Sequence, residues 1–185
     1  MNILVLPIHE VISDYIYFLD SKKNILMDGI FTKLIYTNEW FTMNGLYINL
    51  PIEVQCIETY QPRRYDFPQL GGVQQYNGYK KTIYFSVSQY STILHQLDLL
   101  EQHILSKYNP TDKSKHKSFL IMQSLKLGYF RIFHSNKEEK TTNESSSGFI
   151  LKISGIWENP TEYGVSYKIM DACSSSFSSS SSSYS

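Results

Sequence analysis

The chain has little of what marks secreted, metal-binding or membrane-spanning proteins. It has two cysteines among 185 residues, Cys56 and Cys173, which lie too far apart for a metal-ligand spacing. No run of about 18 apolar residues occurs, so the sequence predicts no membrane-spanning helix. Residues 1–10 contain no basic leader, so we expect no signal peptide. These absences predict a soluble, intracellular protein with reduced thiols, in which Cys56 packs as a small apolar residue of a core strand.

An excess of charge of either sign is also missing. Lys and Arg number 17 and Asp and Glu number 17, so the formal net charge is zero, which argues against binding of polyanions through bulk charge. Residues 1–59 hold three basic and seven acidic side chains, whereas residues 60–117 hold eight basic and four acidic ones. The middle third is therefore the candidate for a basic surface, and we expect residues 111–117 to form a solvated basic loop.

No catalytic or cofactor-binding motif is present. Gly71-Gly72 lacks the strand-to-helix context and the Lys-Ser/Thr ending of a phosphate-binding loop. Neither a His-Glu-x-x-His nor a Gly-x-Ser-x-Gly sequence occurs. The five histidines are scattered, and His95 and His103 are expected on the solvated face of a helix together with Glu101. The sequence therefore predicts a protein without catalytic activity, without a metal and without a cofactor.

Aromatic and β-branched residues are abundant and are arranged as strands. Aromatic residues make up 15% of the chain, and they favour a pleated, half-buried surface. Two blocks place such runs around polar turns, and each predicts an antiparallel hairpin. The first joins residues 24–36 to residues 41–50, and its turn contains Trp40, which is expected to anchor the turn or the core. The second joins residues 149–157 to residues 165–170.

One helix interrupts the predicted strands. Apolar residues from Ile93 to Ile104 recur with helical spacing and predict an amphipathic helix over about residues 92–108. Further strands are expected at residues 53–60, 80–87, 119–125 and 127–133. This order resembles an OB-type barrel, so the predicted fold is mainly β, a single antiparallel β-barrel or sandwich (OB-like) formed by residues 1–173. The serine-rich residues 174–185 are expected to be a disordered tail.

The segment between the third and fourth predicted strands is the candidate functional site. Residues 61–78 show no periodicity, and an irregular segment of this length in a compact domain is usually functional or mobile. Single-stranded nucleic acids bind to aromatic rings that stack the bases and to cations that contact the phosphates. The predicted stacking residues are Tyr60, Tyr65, Phe67, Tyr76 and Tyr79. The predicted phosphate contacts are Arg63, Arg64, Lys80 and Lys81. The alternative is that these rings pack on the barrel and the cations are merely solvated.

The two hairpin blocks also carry a resemblance to a known group. Residues 27–48, which include Gly45-Leu46-Tyr47, and residues 149–170, which include Ser154-Gly155-Ile156-Trp157, look like small β-rich proteins of nucleocytoplasmic large DNA viruses. Some members of that group are regarded as single-strand-DNA-binding or replication-associated proteins. The resemblance covers about a quarter of the chain and carries over no binding residue. It implies a viral protein of the host cytoplasm, where viral factories assemble, with viral replication proteins as partners.

Together these patterns predict a non-catalytic accessory protein that binds single-stranded DNA or RNA and no membrane. The alternative is a viral protein-interaction or virion structural protein without nucleic-acid binding. Neutral charge and many tyrosines also suit a protein interface, and a strand at residues 127–133 would offer an edge for homo-oligomerisation. An enzyme whose site is assembled only by folding is a third reading, and it would leave no signature in the sequence.

Overall fold

In the part of the chain that the structure describes, the β-branched and aromatic runs form ten strands, accompanied by two helices. The computed structural model describes residues 4–24, 28–60, 78–135 and 148–172, with the backbone alone for residues 78, 79, 134 and 135. The strands are β1 (Ile16–Lys23), β2 (Ile30–Thr37), β3 (Thr42–Met43), β4 (Leu46–Leu50), β5 (Cys56–Tyr60), β6 (Gly78–Tyr84), β7 (His116–Ser118), β8 (Tyr129–Ser135), β9 (Phe149–Glu158) and β10 (Glu162–Asp171). The helices are α1 (Ser91–Lys107) and α2 (Leu120–Leu125), and two 3₁₀ turns cover Ile8–Glu10 and Ser13–Tyr15. The mainly β fold is confirmed, and the expected tail at residues 174–185 lies outside the described residues.

The larger sheet is built around β9. Seven strands take part, in the order β1-β2-β9-β10-β7, with β3 paired to β2 and β4 paired to β9. The same edge of β9 pairs with β2 through Gly155–Glu158 and with β4 through Phe149–Ile153. The sheet is mixed, because β7 runs parallel to β10. Neighbouring residues of β9 are buried on both of its faces, as expected for a strand covered on both sides.

Gly155 lies where β9 changes partner from β4 to β2. A Cβ atom at this position would collide with the backbone carbonyl of Thr32 and with the Phe31 ring. Any larger residue would therefore push β2 away from β9. The glycine allows two strands to share one edge of the central strand.

The predicted hairpin that joins residues 149–157 to residues 165–170 is confirmed. The predicted hairpin that joins residues 24–36 to residues 41–50 is only partly right. Strands β9 and β10 pair antiparallel along their length. Strand β2 pairs with β3 only at Tyr36–Met43 and Thr37–Thr42, after which β4 leaves for β9. Strand β4 has buried side chains on both faces, including Leu46 and Tyr47, so it suits the covered middle of a sheet. The long partner of β2 is instead β1, whose mostly exposed residues gave no strand pattern in the sequence.

A second, smaller sheet contains β5, β6 and β8 in that order, antiparallel and without a register shift. One face of this sheet buries Ile83, Phe130 and Ile132. The Phe130 ring meets the Phe149 ring of β9 edge to face, with 4.9 Å between the ring centroids. This contact ties the small sheet to the central strand of the large one. The described strands form two sheets and do not close into a barrel.

Strand β5 corrects the prediction for Cys56. All five residues of β5 are exposed, and Cys56 is an exposed free thiol instead of a core residue. The apolar alternation around it suggested burial, but β5 is the edge strand of the small sheet. Its neighbour Ile57 is 49% exposed, although its cross-strand partner Ile83 is buried.

The amphipathic helix is confirmed as α1, whereas residues 119–125 were wrongly predicted as a strand. They contain α2, which begins under the carboxylate of Glu101 in α1. The two oxygens of Glu101 accept hydrogen bonds from the backbone N–H groups of Ile121 (3.0 Å) and Met122 (3.1 Å). These N–H groups at a helix start have no partner within the helix, and the carboxylate supplies one. Glu101 is fully buried. The prediction that it lies on the solvated face of α1 was therefore wrong.

A second buried glutamate, Glu158, ends β9. Its Oε1 accepts hydrogen bonds from the Lys115 Nζ (2.6 Å), from the Thr111 backbone N–H (3.0 Å) and from the Thr111 hydroxyl. Its Oε2 accepts one from the Tyr108 hydroxyl at 2.7 Å. Residues 111–117 are therefore not simply a solvated basic loop, because Lys115 is ion-paired and only 11% of its side chain is exposed.

The Glu158 cluster contributes to how the fold responds to acid. Burial by itself would raise the pKa of Glu158, but the hydrogen bonds from Lys115, Thr111 and Tyr108 outweigh it and lower the pKa from 4.5 to about 2. The folded-state pKa is thus below the unfolded one. Ionised Glu158 stabilises the fold above about pH 4.5, and this contribution is lost as the pH falls toward about 2.

We expect Glu158→Gln to destabilise the fold by about 3 kcal/mol at about pH 7, since it removes the charge that compensates Lys115. Between about pH 7 and about pH 3 the difference from the wild type should shrink by about 2 kcal/mol, because only the wild type loses the contribution of Glu158 there. Urea unfolding followed by circular dichroism measures both values. Glu39→Gln, a change at an exposed carboxylate, is the control. An equal loss at both pH values would contradict the assignment.

Candidate nucleic-acid interface

The face of the small sheet that points away from the core carries aromatic and charged side chains. Side chains alternate between the two faces of a strand, so the pairing register divides the residues of β5, β6 and β8 into two sets. The set opposite Phe130 and Ile132 forms three cross-strand rows, which we call the outer face. The rows are Cys56–Tyr84–Tyr129, Glu58–Thr82–Arg131 and Tyr60–Lys80–Phe133.

One row presents a cation beside two exposed rings. Phe133 is 73% exposed and Tyr60 is 52% exposed. The Nζ of Lys80, which lies between them in the register, is 5.6 Å from the centroid of the Phe133 ring. A phenylalanine so exposed in a regular strand is not explained by packing, because it buries little of its apolar surface.

The row at the opposite end holds a second group of rings. The centroids of the Tyr84 and Tyr129 rings are 5.8 Å apart, with an angle of 47° between the ring planes. Arg131 lies two residues along β8, and its Cζ is 5.4 Å from the Tyr129 centroid. An exposed guanidinium thus accompanies this pair of rings, as Lys80 accompanies Phe133.

The two groups of rings lie at distances that suit separate bases. Tyr129 and Phe133 are four residues apart along β8, which corresponds to about 13 Å. Tyr60 and Phe133 are two strands apart, which corresponds to about 10 Å. Because the rings project from paired strands, the sheet holds them at fixed spacings. Such an arrangement can stack planar groups and place an anion against either cation.

The outer face also contains one acid. The carboxylate of Glu58 accepts a hydrogen bond of 2.8 Å from the Tyr84 hydroxyl. This bond is the main reason why the pKa of Tyr84 is raised above its ordinary value. Two cations and one carboxylate give the outer face a small positive balance. Any binding of an anionic polymer would therefore depend on stacking more than on charge.

The structure places only part of the predicted site on the outer face. Tyr60 and Lys80 lie there, in the same cross-strand row as Phe133. Lys81 belongs to the opposite face, in register with Thr59 and Ile132. Tyr79 is described by its backbone alone. Outside the described residues lie Arg63, Arg64, Tyr65, Phe67 and Tyr76.

Sequence reasoning missed Tyr129, Arg131 and Phe133 as a binding surface. Residues 127–133 were considered as an edge for oligomerisation, and the two faces of the strand were not separated. The signal was nevertheless present. Exposed or half-buried residues at positions 129, 131 and 133 alternate with Phe130 and Ile132, which are 2% and 3% exposed. Alternation with a period of two indicates a strand, and aromatic residues in both sets indicate that one face packs on the core while the other exposes its rings.

A metal site and a membrane-spanning helix find no support in the described ranges. Within them, no three His, Cys, Asp or Glu side chains come close enough together to hold a metal ion. None of the helices described is both long and apolar enough to cross a membrane. Comparison of the chain with protein-family models, with curated proteins and with solved structures gave no match. The outer face is therefore interpreted from its own geometry.

The assignment of the two faces predicts opposite effects at neighbouring positions. We expect Phe130→Ala to cost about 3–5 kcal/mol of the free energy of unfolding, because it opens a cavity against Phe149. Phe133→Ala should change that free energy by less than about 0.5 kcal/mol, because the ring is mostly exposed. Urea unfolding of the two variants measures both values. Similar losses for the two would contradict the division into an inner and an outer face.

Proposed function

We propose that the protein binds single-stranded nucleic acid on the outer face of its small sheet, as an accessory protein without catalytic activity. The observation that carries the proposal is the exposure of Phe133 beside Lys80, repeated at the other end of β8 by Tyr129 beside Arg131. Rings for stacking bases and cations for contacting phosphates are the two ingredients of such surfaces. Two of the residues that the sequence analysis selected, Tyr60 and Lys80, belong to the same face.

The neutral charge of the chain is compatible with this mode of binding. Stacking of one base on an aromatic ring contributes about 1–3 kcal/mol, so the rings of the outer face would supply more binding free energy than its net charge. Every base has a flat face, so stacking tolerates many sequences. The protein would therefore bind short single-stranded stretches, and duplexes would bind poorly because their bases are already stacked.

The proposed binding mode is the one that OB-type barrels use, but it does not need a closed barrel. In OB folds a face of the sheet binds oligonucleotides. Here an open three-stranded sheet would present the same kind of face. The resemblance of residues 27–48 and 149–170 to viral proteins extends the proposal to a role in viral DNA replication, with viral replication proteins as partners in the host cytoplasm. The viral resemblance does not indicate which residues contact the nucleic acid.

Fluorescence anisotropy with a labelled single strand of mixed sequence tests the proposal. Phe133→Ala and Arg131→Gln should each raise the Kd about fivefold or more, because one removes a stacking ring and the other a phosphate contact. The chain offers a matched control. Lys107 lies 5.3 Å from the centroid of the exposed Tyr17 ring, away from the small sheet, so Tyr17→Ala and Lys107→Gln should leave the Kd unchanged. Lack of binding by the wild type at about 50 mM salt would overturn the proposal.

The salt dependence in the same assay counts the phosphate contacts. If Lys80 and Arg131 are the contacting cations, raising the salt from about 50 to about 200 mM should weaken binding about sevenfold. If Arg63 and Arg64 also contact the strand, as the sequence analysis predicts, the loss should be about 50-fold. The double variant Arg63→Ala with Arg64→Ala would then bring the larger dependence down to the smaller one.

A second candidate function is protein interaction, and Trp40 favours it. The indole is 86% exposed, so Trp40 does not anchor the core as the sequence analysis allowed. It stands in a turn in which the Asn38 Oδ1 accepts hydrogen bonds from the backbone N–H groups of Trp40 (2.9 Å) and Phe41 (3.1 Å). Tryptophan is enriched among the residues that dominate protein interfaces. An ordered turn with an exposed tryptophan side chain suits self-association or a virion contact.

Sedimentation velocity tests this second function. If Trp40 mediates self-association, the wild type should sediment as a dimer or larger species and Trp40→Ala as a monomer. Leu99→Ala, which removes another large exposed side chain, should leave the wild-type state unchanged. A monomeric wild type at every concentration tested would exclude Trp40 as a contact between copies of the chain.

A further inference from the structure

The carboxylate on the outer face is a feature that phosphate binding does not explain. A surface serving only to hold an anionic backbone would be weakened by an acid at its centre, since like charges repel. Glu58 nevertheless lies in the middle row, and its side chain is exposed. It has no cationic partner among the described residues, whose ion pairs are His9–Glu10 and Lys115–Glu158.

The position of Glu58 relative to the rings suits contact with a base edge. Along β5 and β6, the neighbouring rows lie two residues away, which corresponds to about 7 Å on either side. One of these rows holds Tyr60 and the other holds Tyr84. A base stacked on either ring would bring its edge toward the carboxylate. The cations Lys80 and Arg131 belong to β6 and β8, so phosphates would lie toward β8 and base edges toward β5.

The hydrogen bond from Tyr84 fixes the carboxylate and, within the part of the chain that the structure describes, occupies only one of its oxygens. The Tyr84 hydroxyl donates to Oε2, and no hydrogen bond from the described residues reaches the other oxygen of Glu58. An ionised carboxylate can only accept hydrogen bonds. The ligand groups that it recognises are therefore donors. In a single strand these are the exocyclic amino groups of cytosine, adenine and guanine and the ring N–H groups of thymine, uracil and guanine.

We propose that Glu58 makes the outer face prefer single strands whose bases carry an exocyclic amino group, cytosine in particular, over thymine and uracil. Thymine and uracil present a carbonyl oxygen where cytosine presents its amino group, and that oxygen would face the carboxylate as a second acceptor. Their ring N–H lies between two carbonyl oxygens, so a carboxylate that approaches it also meets an acceptor. Tyr84 acts as a positioning residue, because its hydroxyl holds the carboxylate beside the rings. This inference rests on the proposed function and adds a base preference to it.

Anisotropy titrations with two labelled homopolymers of about 30 bases, dC and dT, test the preference at neutral pH. Cytosine and thymine are both pyrimidines, so the comparison isolates the amino group from ring size. We expect dC to bind about fivefold more tightly than dT. Glu58→Gln should bring the ratio close to one, because an amide can also donate to the thymine carbonyl.

Two further variants separate recognition from charge and from folding. Glu53→Gln removes a nearby exposed carboxylate outside the three strands and should leave the ratio at about five. Tyr84→Phe should lower the ratio by weakening dC binding while leaving dT binding nearly unchanged, since the ring remains for stacking. A ratio that Glu58→Gln leaves unaltered, or equal affinities of the wild type for dC and dT, would overturn the base preference alone. Failure of the wild type to bind either strand would overturn the proposed function as well.

Discussion

The structure depends on the burial of β9 on both of its faces. Phe149, Ile150 and Leu151 are consecutive and almost wholly inaccessible to water, so neither face of the strand can be left open. One face of β9 is covered where Phe130 of the small sheet packs against Phe149. Because the small sheet makes this contact with one face only, its other face takes no part in holding the core. The outer face can therefore carry exposed rings and charges at little cost to stability. A binding surface on paired strands is also better fixed than one on a long loop.

The two buried glutamates show how the charge of a partner decides the state of a carboxyl group. Burial raises the pKa of Glu101, and its backbone N–H donors oppose this only in part. Burial acts on Glu158 in the same direction, but hydrogen bonds that include one from the cationic Lys115 reverse the outcome. Both residues fix connections between elements distant in the chain. Glu101 determines where α2 begins, and α2 leads through Gly128 into β8, so a buried acid of α1 contributes to the placement of the outer face.

Binding of nucleic acid by a neutral protein, as proposed for this chain, would require cations that are placed locally. Here the positive groups of the outer face, Lys80 and Arg131, each lie over an aromatic ring. A cation over a ring is attracted to the ring face and remains hydrated on its other side. Pairing of this kind orders long side chains before a ligand arrives, which reduces the entropy lost on binding. The acid Glu58 is similarly ordered by Tyr84. For the proposed binding, the rings and charged groups of the outer face would thus be ordered in advance, and its net charge would be of minor importance.

The sequence by itself determined the elements whose pattern is local. The closing hairpin of β9 and β10 and the helix α1 follow from periodicity within one segment, and both were predicted. Only the tertiary structure decided the rest. Residues 119–125 have apolar spacing that suits a strand or a helix, and the distant carboxylate of Glu101 selects the helix.

The outer face brings together β5, β6 and β8, which are separated by a long segment and by both helices. Which side chains share a face depends on the register between such strands, and a shift of one residue would reverse it. That register is set by burial of Ile83 and Phe130 against the core, which no local pattern in the sequence specifies.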